Sequence, residues 1–322
     1  NFNSTLTGGA AATDITAIEA ANGTGTIDGS LLTSINGAAA NIVTALGDLD
    51  TDPTNFNSTL TGVAAATDIS AIEAANGTGL IDGSALASIN GTAADIVTAL
   101  GDLDTDPTNF NSTITGTAVA TQISSIEAAN GSGTINGVGI TELSGTASEL
   151  ATALGDLDTD PTSFVWTQSR GVNVVATDLL TISGATGGTL DASFALGIDG
   201  TADQVAAVIT DAGITKPANF NSVLSGVADA LDISAIEAAN GSGTLNGSAL
   251  MEINGAAANI VTALGDLDTD PTNFNSTLTG VAAATDITAI EAANGSGTID
   301  GSALTAINGT AANILTALTD LD

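Results

Sequence analysis

The feature that most constrains the fold of this chain is an internal repeat of 54 residues. Five units open with the phrase Asn-Phe-Asn-Ser, at Asn1, Asn55, Asn109, Asn219 and Asn273. A sixth unit of divergent sequence fills residues 163–218. Because repeats of this kind bury their apolar faces by stacking on their neighbours, we expect one continuous array. Its repeats are residues 1–54, 55–108, 109–162, 163–218, 219–272 and 273–322.

Each repeat divides into two similar halves, which indicates a smaller structural unit of about 27 residues. The segment that begins at Asp28-Gly29-Ser30 echoes the segment that begins at Asn1-Phe2-Asn3. About 27 residues are enough for one strand, a turn and a short helix, which is the size of one solenoid coil. The sequence therefore predicts an α/β solenoid with two strand–helix coils per repeat and a parallel β-sheet on one side. An all-β parallel solenoid is the alternative.

Helix signals are strongest in the second half of each repeat. Residues 146–149 and 201–204 match the capping box, which satisfies free N–H groups at a helix start. Thr92 and Asp95 place a carboxylate at the same point, where the helix dipole favours it. The apolar stripe that follows in the first repeat consists of Ile42, Ala45, Leu46 and Leu49. We predict a helix here, with this stripe against the core.

The first half of each repeat carries weaker signals. Residues 13–22 are compatible with a helix that ends at Gly23, and a strand is the alternative. Residues 26–35 alternate between apolar and polar side chains, which is typical of a half-buried strand. We expect Ile27, Leu31 and Ile35 to share the buried face of that strand.

The composition excludes most catalytic chemistry and several classes of partner. The chain has no His and no Cys, so imidazole bases, thiolate nucleophiles and the usual zinc ligands are missing. The chain has only two basic side chains against 36 acidic ones. The resulting net charge of −34 argues against nucleic acid and anionic membranes as partners. No apolar run approaches the length of a membrane-spanning helix, so we expect no membrane insertion. We predict that the chain is not an enzyme.

An acidic turn follows the second helix of four repeats and is the best candidate for ligand binding. Three aspartates recur there at alternate positions, and Ca²⁺ takes six to eight such oxygen ligands. Asn55 offers one further oxygen, but the positions of Pro53 and Thr59 exclude an EF-hand. The alternative is a solvated turn in which the aspartates bond local N–H groups. The candidate calcium ligands are Asp48, Asp50, Asp52, Asp102, Asp104, Asp106, Asp156, Asp158, Asp160, Asp266, Asp268 and Asp270.

Two other recurring motifs favour structural interpretations over chemistry. A glutamate repeats in Ile-Glu-Ala-Ala-Asn, and we interpret it as part of a solvated helix face rather than as a catalytic ladder. Glycosylation sequons also recur, but Asn-Gly is a common turn, and the turn is the preferred interpretation. The glutamates are Glu19, Glu73, Glu127, Glu237 and Glu291, and the sequons include those at Asn3, Asn22, Asn57, Asn76, Asn90 and Asn308.

The divergent repeat holds the only Trp and both basic residues of the chain, Trp166, Arg170 and Lys216. Alignment with the first repeat places Lys216 where Asp52 stands and retains Asp211. We expect the ammonium beside Asp211 to replace a bound cation. Trp and Arg are enriched at protein contacts, so Trp166 and Arg170 are predicted to mark a docking point. Sequence drift in an unselected copy is the alternative.

The phrases Gly-Thr-Ile-Asp-Gly-Ser, Asn-Gly-Thr-Ala-Ala-Asp-Ile and Val-Thr-Ala-Leu resemble repeats of very large, acidic surface or secreted proteins from cyanobacteria and other marine bacteria. The resemblance covers nearly all of the chain except residues 163–218. It implies a structural role outside the cell or at its surface, often with calcium.

Three functions follow as hypotheses: a surface fibre or sheath, an adhesin spacer that carries a separate binding domain, and, ranked last, a carbohydrate-processing solenoid enzyme. Aromatic residues make up only 2% of the chain, which disfavours the enzyme because sugar-binding grooves use aromatic platforms. The array begins and ends in mid-pattern, so we expect self-association or continuation of the same repeat array.

Overall fold

The computed structural model describes residues 1–167 and 171–322, and it has an α/β fold in which strands and helices alternate along the chain. The described residues form twelve helices and fifteen strands. A strand–helix coil of about 27 residues recurs twice in each regular repeat, so the predicted solenoid architecture is confirmed. Residues 13–22, for which a strand was the alternative, lie in a helix.

The first three repeats contain β1 (Ser4–Ala11), α1 (Ala12–Asn22), β2 (Ile27–Asn36), α2 (Ala39–Asp48), β3 (Ser58–Ala65), α3 (Ala66–Asn76), β4 (Ile81–Asn90), α4 (Ala93–Asp102), β5 (Ser112–Val119), α5 (Ala120–Asn130), β6 (Ile135–Ser144) and α6 (Ala147–Asp156). The divergent repeat contains β7 (Val165–Thr167), β8 (Asn173–Val175), α7 (Ala176–Ala185), β9 (Leu190–Asp191), β10 (Gly197–Asp199), α8 (Ala202–Thr210) and β11 (Ile214–Thr215). The last two repeats contain β12 (Ser222–Asp229), α9 (Ala230–Ala239), β13 (Leu245–Asn254), α10 (Ala257–Asp266), β14 (Ser276–Ala283), α11 (Ala284–Ala293), β15 (Ile299–Asn308) and α12 (Ala311–Asp320).

The strands pair in parallel, both within a repeat and between repeats. Within the first repeat, β1 pairs with β2 from Ser4 opposite Ile27 to Ala11 opposite Asn36. Shorter bridges, such as Gly37 opposite Leu60, then join β2 to β3 of the next repeat. Parallel pairing between consecutive coils is the arrangement expected of a solenoid, because each strand returns to the same side after its helix.

Local signals in the sequence start and end the helices. The Thr146 hydroxyl accepts a hydrogen bond from the N–H of Glu149 at 3.2 Å, and the Glu149 carboxylate accepts one from the N–H of Thr146 at 2.8 Å. The same reciprocal pair forms between Thr201 and Gln204. These contacts confirm the predicted capping boxes. At the other end of α1, Gly23 has a φ of 72°, a conformation that only glycine adopts without strain.

The core lies between the inner face of the strands and one face of the helices. Ile27, Ile35, Ile42 and Ala45 are fully buried, as predicted. The prediction for Leu31 is wrong: its side chain is 58% exposed, and Leu32 is buried in its place.

The strand register explains this error. Two irregularities in the pairing of β1 with β2, between Thr5 and Thr7 and between Gly8 and Gly9, each give β2 one extra residue. An extra residue reverses the alternation of inward and outward side chains from that point on. The simple alternation of the sequence therefore fails after Gly29, and the second extra residue returns Ile35 to the buried face.

Glycine is required where neighbouring coils approach most closely. A Cβ on Gly79 would overlap the carbonyl oxygen of Phe56, and the same relation holds between Gly25 and Phe2. The Phe56 ring behind this contact is 1% exposed. The Gly-Thr-Gly and Gly-Ser-Gly turns of the repeat therefore allow two backbones to pack directly against each other.

The chain comprises two compact units. The first contains residues 1–145 and 152–167, and the second contains residues 146–151 and 171–322. Each unit is a stack of strand–helix coils held by parallel strand pairs. None of the described helices has both the length and the apolar character that crossing a membrane requires.

Candidate functional site

The acidic turn of the first repeat borders a polar cavity of about 360 Å³. Its walls come from the end of α1, the turn before β2 and the end of α2, and its lining includes Glu19, Asp48 and Asp50. The structure thus brings together two of the three predicted carboxylates and adds Glu19, which the sequence analysis assigned to a solvated helix face. Asp52 is not among the residues that line this cavity.

The first aspartate of the turn links two helices of one repeat. Asp102, at the end of α4, accepts a hydrogen bond from the hydroxyl of Ser70 in α3 at 2.6 Å. Asp156 accepts the equivalent bond from Ser124, also at 2.6 Å. A short hydrogen bond from a hydroxyl to a carboxylate is among the stronger hydrogen bonds of proteins. The carboxylate therefore has a structural partner within the repeat. Further pairs of this kind are Ser234 with Asp266, Thr288 with Asp320, and Ser183 with Asp211.

The second aspartate joins the turn to the strand of the preceding coil. Asp104 accepts a hydrogen bond from the backbone N–H of Ile81 at 2.8 Å, and its own N–H donates to the carbonyl of Ile81 at 3.0 Å. These two bonds extend the parallel ladder beside the start of β4. This role was not predicted from the sequence, although each pair is separated by a constant 23 residues. Equivalent pairs are Asp50 with Ile27, Asp158 with Ile135, Asp268 with Leu245, and Asp322 with Ile299.

The third aspartate lies in a different environment from the other two. Partial burial raises the pKa of Asp52, Asp160 and Asp270 above the ordinary value of 3.8. Among the described residues, no group of three or more acidic side chains is placed to hold a metal ion. Asn55, expected as a further ligand, accepts hydrogen bonds from the N–H and hydroxyl of Thr78 instead. The three carboxylates of one turn thus face three different settings, and calcium binding stays a prediction.

Asparagine side chains form a second set of contacts between coils that the sequence analysis did not predict. The Oδ1 atom of Asn57 accepts a hydrogen bond from the N–H of Leu80 at 2.8 Å, and that of Asn36 accepts one from Thr59 at 2.9 Å. Like the Asp104 bond, each joins residues 23 positions apart. Polar side chains that recur at this separation therefore tie each coil to the next. The recurrence of Asn-Phe-Asn is the signal from which this role could have been found.

The asparagines that end the first helix of each repeat occupy buried turns. Asn22 and Asn76 have no exposed surface, and their side-chain amides donate to the carbonyls of Gly25 and Gly79 at 3.0 and 2.9 Å. These contacts close the turn before the next strand. The geometry is the one that the turn interpretation of these two sequons requires.

The structure places the residues of the divergent repeat differently from the prediction. Trp166 is only 8% exposed, and its indole N–H donates to the carbonyl of Gly145 at 3.1 Å, so its ring belongs to the core rather than to a docking surface. The Lys216 ammonium donates to the carbonyl of Ile209 at 3.0 Å, near the end of α8, where a cation is favourable. Arg170 lies outside the described residues.

Asp211 has its own partners in this repeat. Its carboxylate accepts hydrogen bonds from the hydroxyl of Ser183 at 2.8 Å and from the N–H of Gly213 at 2.7 Å. The hydrogen-bond donors to the Asp211 carboxylate are therefore Ser183 and Gly213, and not the Lys216 ammonium that was predicted to lie beside it. The Ser183 bond is of the same kind as the bond that the first aspartate makes in other repeats, although it joins residues 28 rather than 32 positions apart, so a hydroxyl-to-carboxylate link joins the two helices here as well.

The recurring carboxylates and side-chain amides described above all accept hydrogen bonds from a neighbouring helix or coil. Asp104 and Asn57 do so with backbone N–H groups, and Asp102 does so with a hydroxyl. Most copies of a motif meet an equivalent partner, although the buried Oδ2 atom of Asp48 has no hydrogen-bond partner among the described residues. The repeats therefore supply many equivalent contacts rather than one distinctive site. No protein-family model matches this chain, and no curated protein matches it.

Proposed function

We propose that this chain is a non-enzymatic structural repeat protein that forms part of a rod or filament outside the cell or at its surface. The observation that carries the proposal is the constant set of bonds between coils. Each regular coil meets the next through parallel backbone pairing together with aspartate and asparagine acceptors 23 residues away. Such nearest-neighbour contacts allow a solenoid to extend by simple repetition. The location rests on the resemblance of its motifs to repeats of surface and secreted proteins.

The setting of the recurring acids supports a structural role rather than catalysis. Hydrolysis of a sugar bond, the enzymatic alternative, needs two carboxylates whose environments give them different pKa values across one cleft. Here Asp102, Asp156 and Asp266 each accept a hydrogen bond from a serine hydroxyl at 2.6 Å. These three copies share one partner and lie in different repeats, so they do not form two differentiated carboxylates across one cleft.

Small-angle X-ray scattering of the monomeric chain tests the rod. A compact globule of 322 residues has a radius of gyration of about 20 Å by the usual scaling law. Twelve coils stacked about 4.8 Å apart extend only about 58 Å, so the radius of gyration of one chain lies near the globular value as well, and the shape of the distance distribution carries the test. We expect an asymmetric distribution with a tail beyond its peak, and a symmetric, bell-shaped distribution would contradict the proposal.

We further propose that calcium stabilises the acidic turns. The support is that Glu19, Asp48 and Asp50 are among the residues that line one polar cavity, and they carry oxygen atoms of the type that Ca²⁺ prefers. When bound, the ion would screen the repulsion between these groups. The residues of the chain would supply oxygen ligands and no other chemistry.

Thermal unfolding in Ca²⁺, in Mg²⁺ and in chelator, at constant ionic strength, tests calcium binding. A ligand that binds only the folded state raises its stability, so we expect the highest midpoint in Ca²⁺. Magnesium is the matched control for charge screening. Equal midpoints in the three buffers, with no metal found by elemental analysis, would leave the acids with their structural role alone.

A further inference from the structure

The sheet of the first unit exposes large apolar side chains on the side away from its helices. This surface, here called the outer sheet face, consists of the exposed side chains of β1 to β6. Leu31 of β2, Val63 of β3 and Val138 of β6 are 58%, 61% and 50% exposed. The position of Val63 recurs in the second unit as Val227 and Val281, which are 53% and 56% exposed.

Stacking of coils does not cover this face. The strands β2 to β6 each have a paired strand on both sides, through ladders within a repeat and bridges between repeats. A further coil extends such a sheet along its own plane and leaves the outer side chains exposed. The partner that covers Val63 or Val138 must therefore approach the sheet from its open side.

The other side chains of the outer sheet face are small and leave room for a close approach. Exposed Thr61 pairs with exposed Ala85, and exposed Thr115 pairs with Gly139. Ala87 on β4 is also exposed. Two sheets that pack face to face lie about 10 Å apart, which short side chains of this kind permit.

Most charges of these repeats lie away from the outer sheet face. The second and third repeats, residues 55–162, contain 13 acidic residues and no basic ones. Only Asp82 and Glu142 lie in strands, and the other acids lie in helices or in the acidic turns. The Asp82 carboxylate accepts a hydrogen bond from the N–H of Ser84 at 2.9 Å, and Glu142 accepts one from the hydroxyl of Thr167 at 2.8 Å. Because like charges oppose contact, two copies with a net charge of −34 each meet with least repulsion through this face.

The outer sheet face is large enough for a stable contact between two proteins. The strands β1 to β6 contain eight or ten residues each. Eight residues span about 26 Å at about 3.3 Å each, and six strands spaced by about 4.8 Å span about 29 Å. The resulting area of about 750 Å² per copy is close to the value of about 800 Å² that each partner buries in a standard interface.

We propose that the outer sheet face packs against the same face of a second copy of this chain. The strands β1 to β6 contain neither basic nor aromatic residues, so the face offers no cation to an anionic partner and no ring to a glycan. Both copies use the same residues, and the contact is therefore isologous and closes as a two-fold dimer. The proposal adds lateral pairing to the filament function above and rests on it. Screening of the remaining charge strengthens the association as salt increases.

Sedimentation equilibrium of the 322-residue chain tests the pairing at about 300 mM NaCl, where screening is strong. Val63→Glu places a carboxylate from each copy in the contact, and we expect the dissociation constant of the dimer to rise by about tenfold or more. Ala71→Glu is the matched control, because it adds the same charge at an exposed position of α3 and should leave the dissociation constant nearly unchanged. Val63→Thr introduces the residue that Thr117 supplies at the same position of the next repeat, and it should retain most of the association.

Thiol labelling locates the contact independently, because the chain contains no cysteine. One variant carries Ala87→Cys on the outer sheet face, and the other carries Ala71→Cys on α3. Each is labelled briefly with a maleimide at concentrations well below and well above the dissociation constant. We expect Ala87→Cys to react about tenfold more slowly in the concentrated sample, because the centre of an interface excludes water and solutes. Ala71→Cys should react at the same rate in both samples.

These experiments separate failure of the pairing from failure of the filament function. A chain that stays monomeric at high salt, equal weakening by Val63→Glu and Ala71→Glu, or equal labelling of Ala87→Cys in both samples would overturn the pairing. If the monomer still gives an asymmetric distance distribution in scattering, the structural function stands without lateral pairing. A monomer with a symmetric distribution would overturn both.

Discussion

At the scale of single residues, the most informative side chains are short polar acceptors that reach the adjacent coil. Asp104 and Asn57 are both exposed residues, yet the side chain of each accepts a hydrogen bond from a backbone N–H of the neighbouring coil. A backbone donor left without an acceptor costs more free energy than an ordinary hydrogen bond contributes. Much of the recurring polar pattern of the repeats is therefore explained by backbone hydrogen bonding between coils.

The Asp104 contact gives a prediction with a matched control. Asp104→Ala leaves the N–H of Ile81 without its acceptor, and we expect a loss of about 1–3 kcal/mol in unfolding free energy. Asp104→Asn keeps an oxygen acceptor at the same place and should lose less than half as much. Urea unfolding of the two variants measures the difference. Equal losses would mean that charge, or a bound cation, matters more than the hydrogen bond.

At the scale of elements, the coil depends on one strand whose alternation is interrupted and on turns where backbones touch. The extra residues of β2 decide which of its side chains enter the core, and Gly79 allows its turn to rest on the carbonyl of Phe56. The outer faces of the described helices make no comparable close contact that would require glycine. At Gly101, near the end of α4, no described atom outside the adjacent backbone of its own helix lies within 4 Å of the position where a Cβ would lie.

These two glycines predict opposite effects of the same substitution. Gly79→Ala forces the turn away from Phe56, and we expect destabilisation by several kcal/mol, on the order of the largest single-site effects. Gly101→Ala removes a flexible residue from a helix and is expected to stabilise the chain by about 0.5–1 kcal/mol. Thermal unfolding of both variants measures the contrast. Similar effects of the two changes would show that the turn does not need its close contact.

At the scale of the whole molecule, charge dominates the expected behaviour. The net charge of −34 is spread along the repeats, and four of them carry an Asp-Leu-Asp-Thr-Asp turn. Repulsion of this kind opposes the compact state and is screened by salt. Stability should therefore depend on solution conditions more than it does for a protein of balanced charge.

We predict that the unfolding midpoint rises when NaCl increases from about 10 mM to about 300 mM, because the Debye length falls from about 30 Å to below 8 Å. The midpoint should also rise as the pH falls from neutrality. Burial raises the pKa of Asp52, Asp160 and Asp270 above 3.8, so their folded forms gain protons first and lose the cost of buried charge.

Other carboxylates limit this rise of the unfolding midpoint as the pH falls further. Hydrogen bonds from the hydroxyl and N–H of Ser30 and Ser84 lower the pKa of Asp28 and Asp82. Their stabilising contribution is present above pH 3.8 and is lost as the pH falls through the lowered values. The midpoint should pass through a maximum on the acidic side of neutrality. A midpoint that falls steadily from pH 7 downward, or that ignores salt, would contradict this account.

The sequence alone determined the repeat, the coil length, the alternation of strand with helix, and the helix caps. These features depend on residues close together in the chain: Thr146 caps the helix that contains Glu149, and the stripe that includes Ile42 and Ala45 follows from helical periodicity. Such local interactions can be predicted from the amino-acid sequence, because the residues that make them are close together in the chain.

Only the tertiary structure decided which strand residues enter the core and what the recurring polar side chains do. Leu32 replaces Leu31 in the core because the pairing of β2 with β1 adds residues to one strand, and pairing is a relation between distant segments. Trp166 is buried because β7 pairs with β6 and brings the indole N–H to the carbonyl of Gly145. Asp104 likewise finds its donor in another coil, 23 residues away. Neighbours of this kind are set by how the coils stack, so local patterns in the sequence do not specify them.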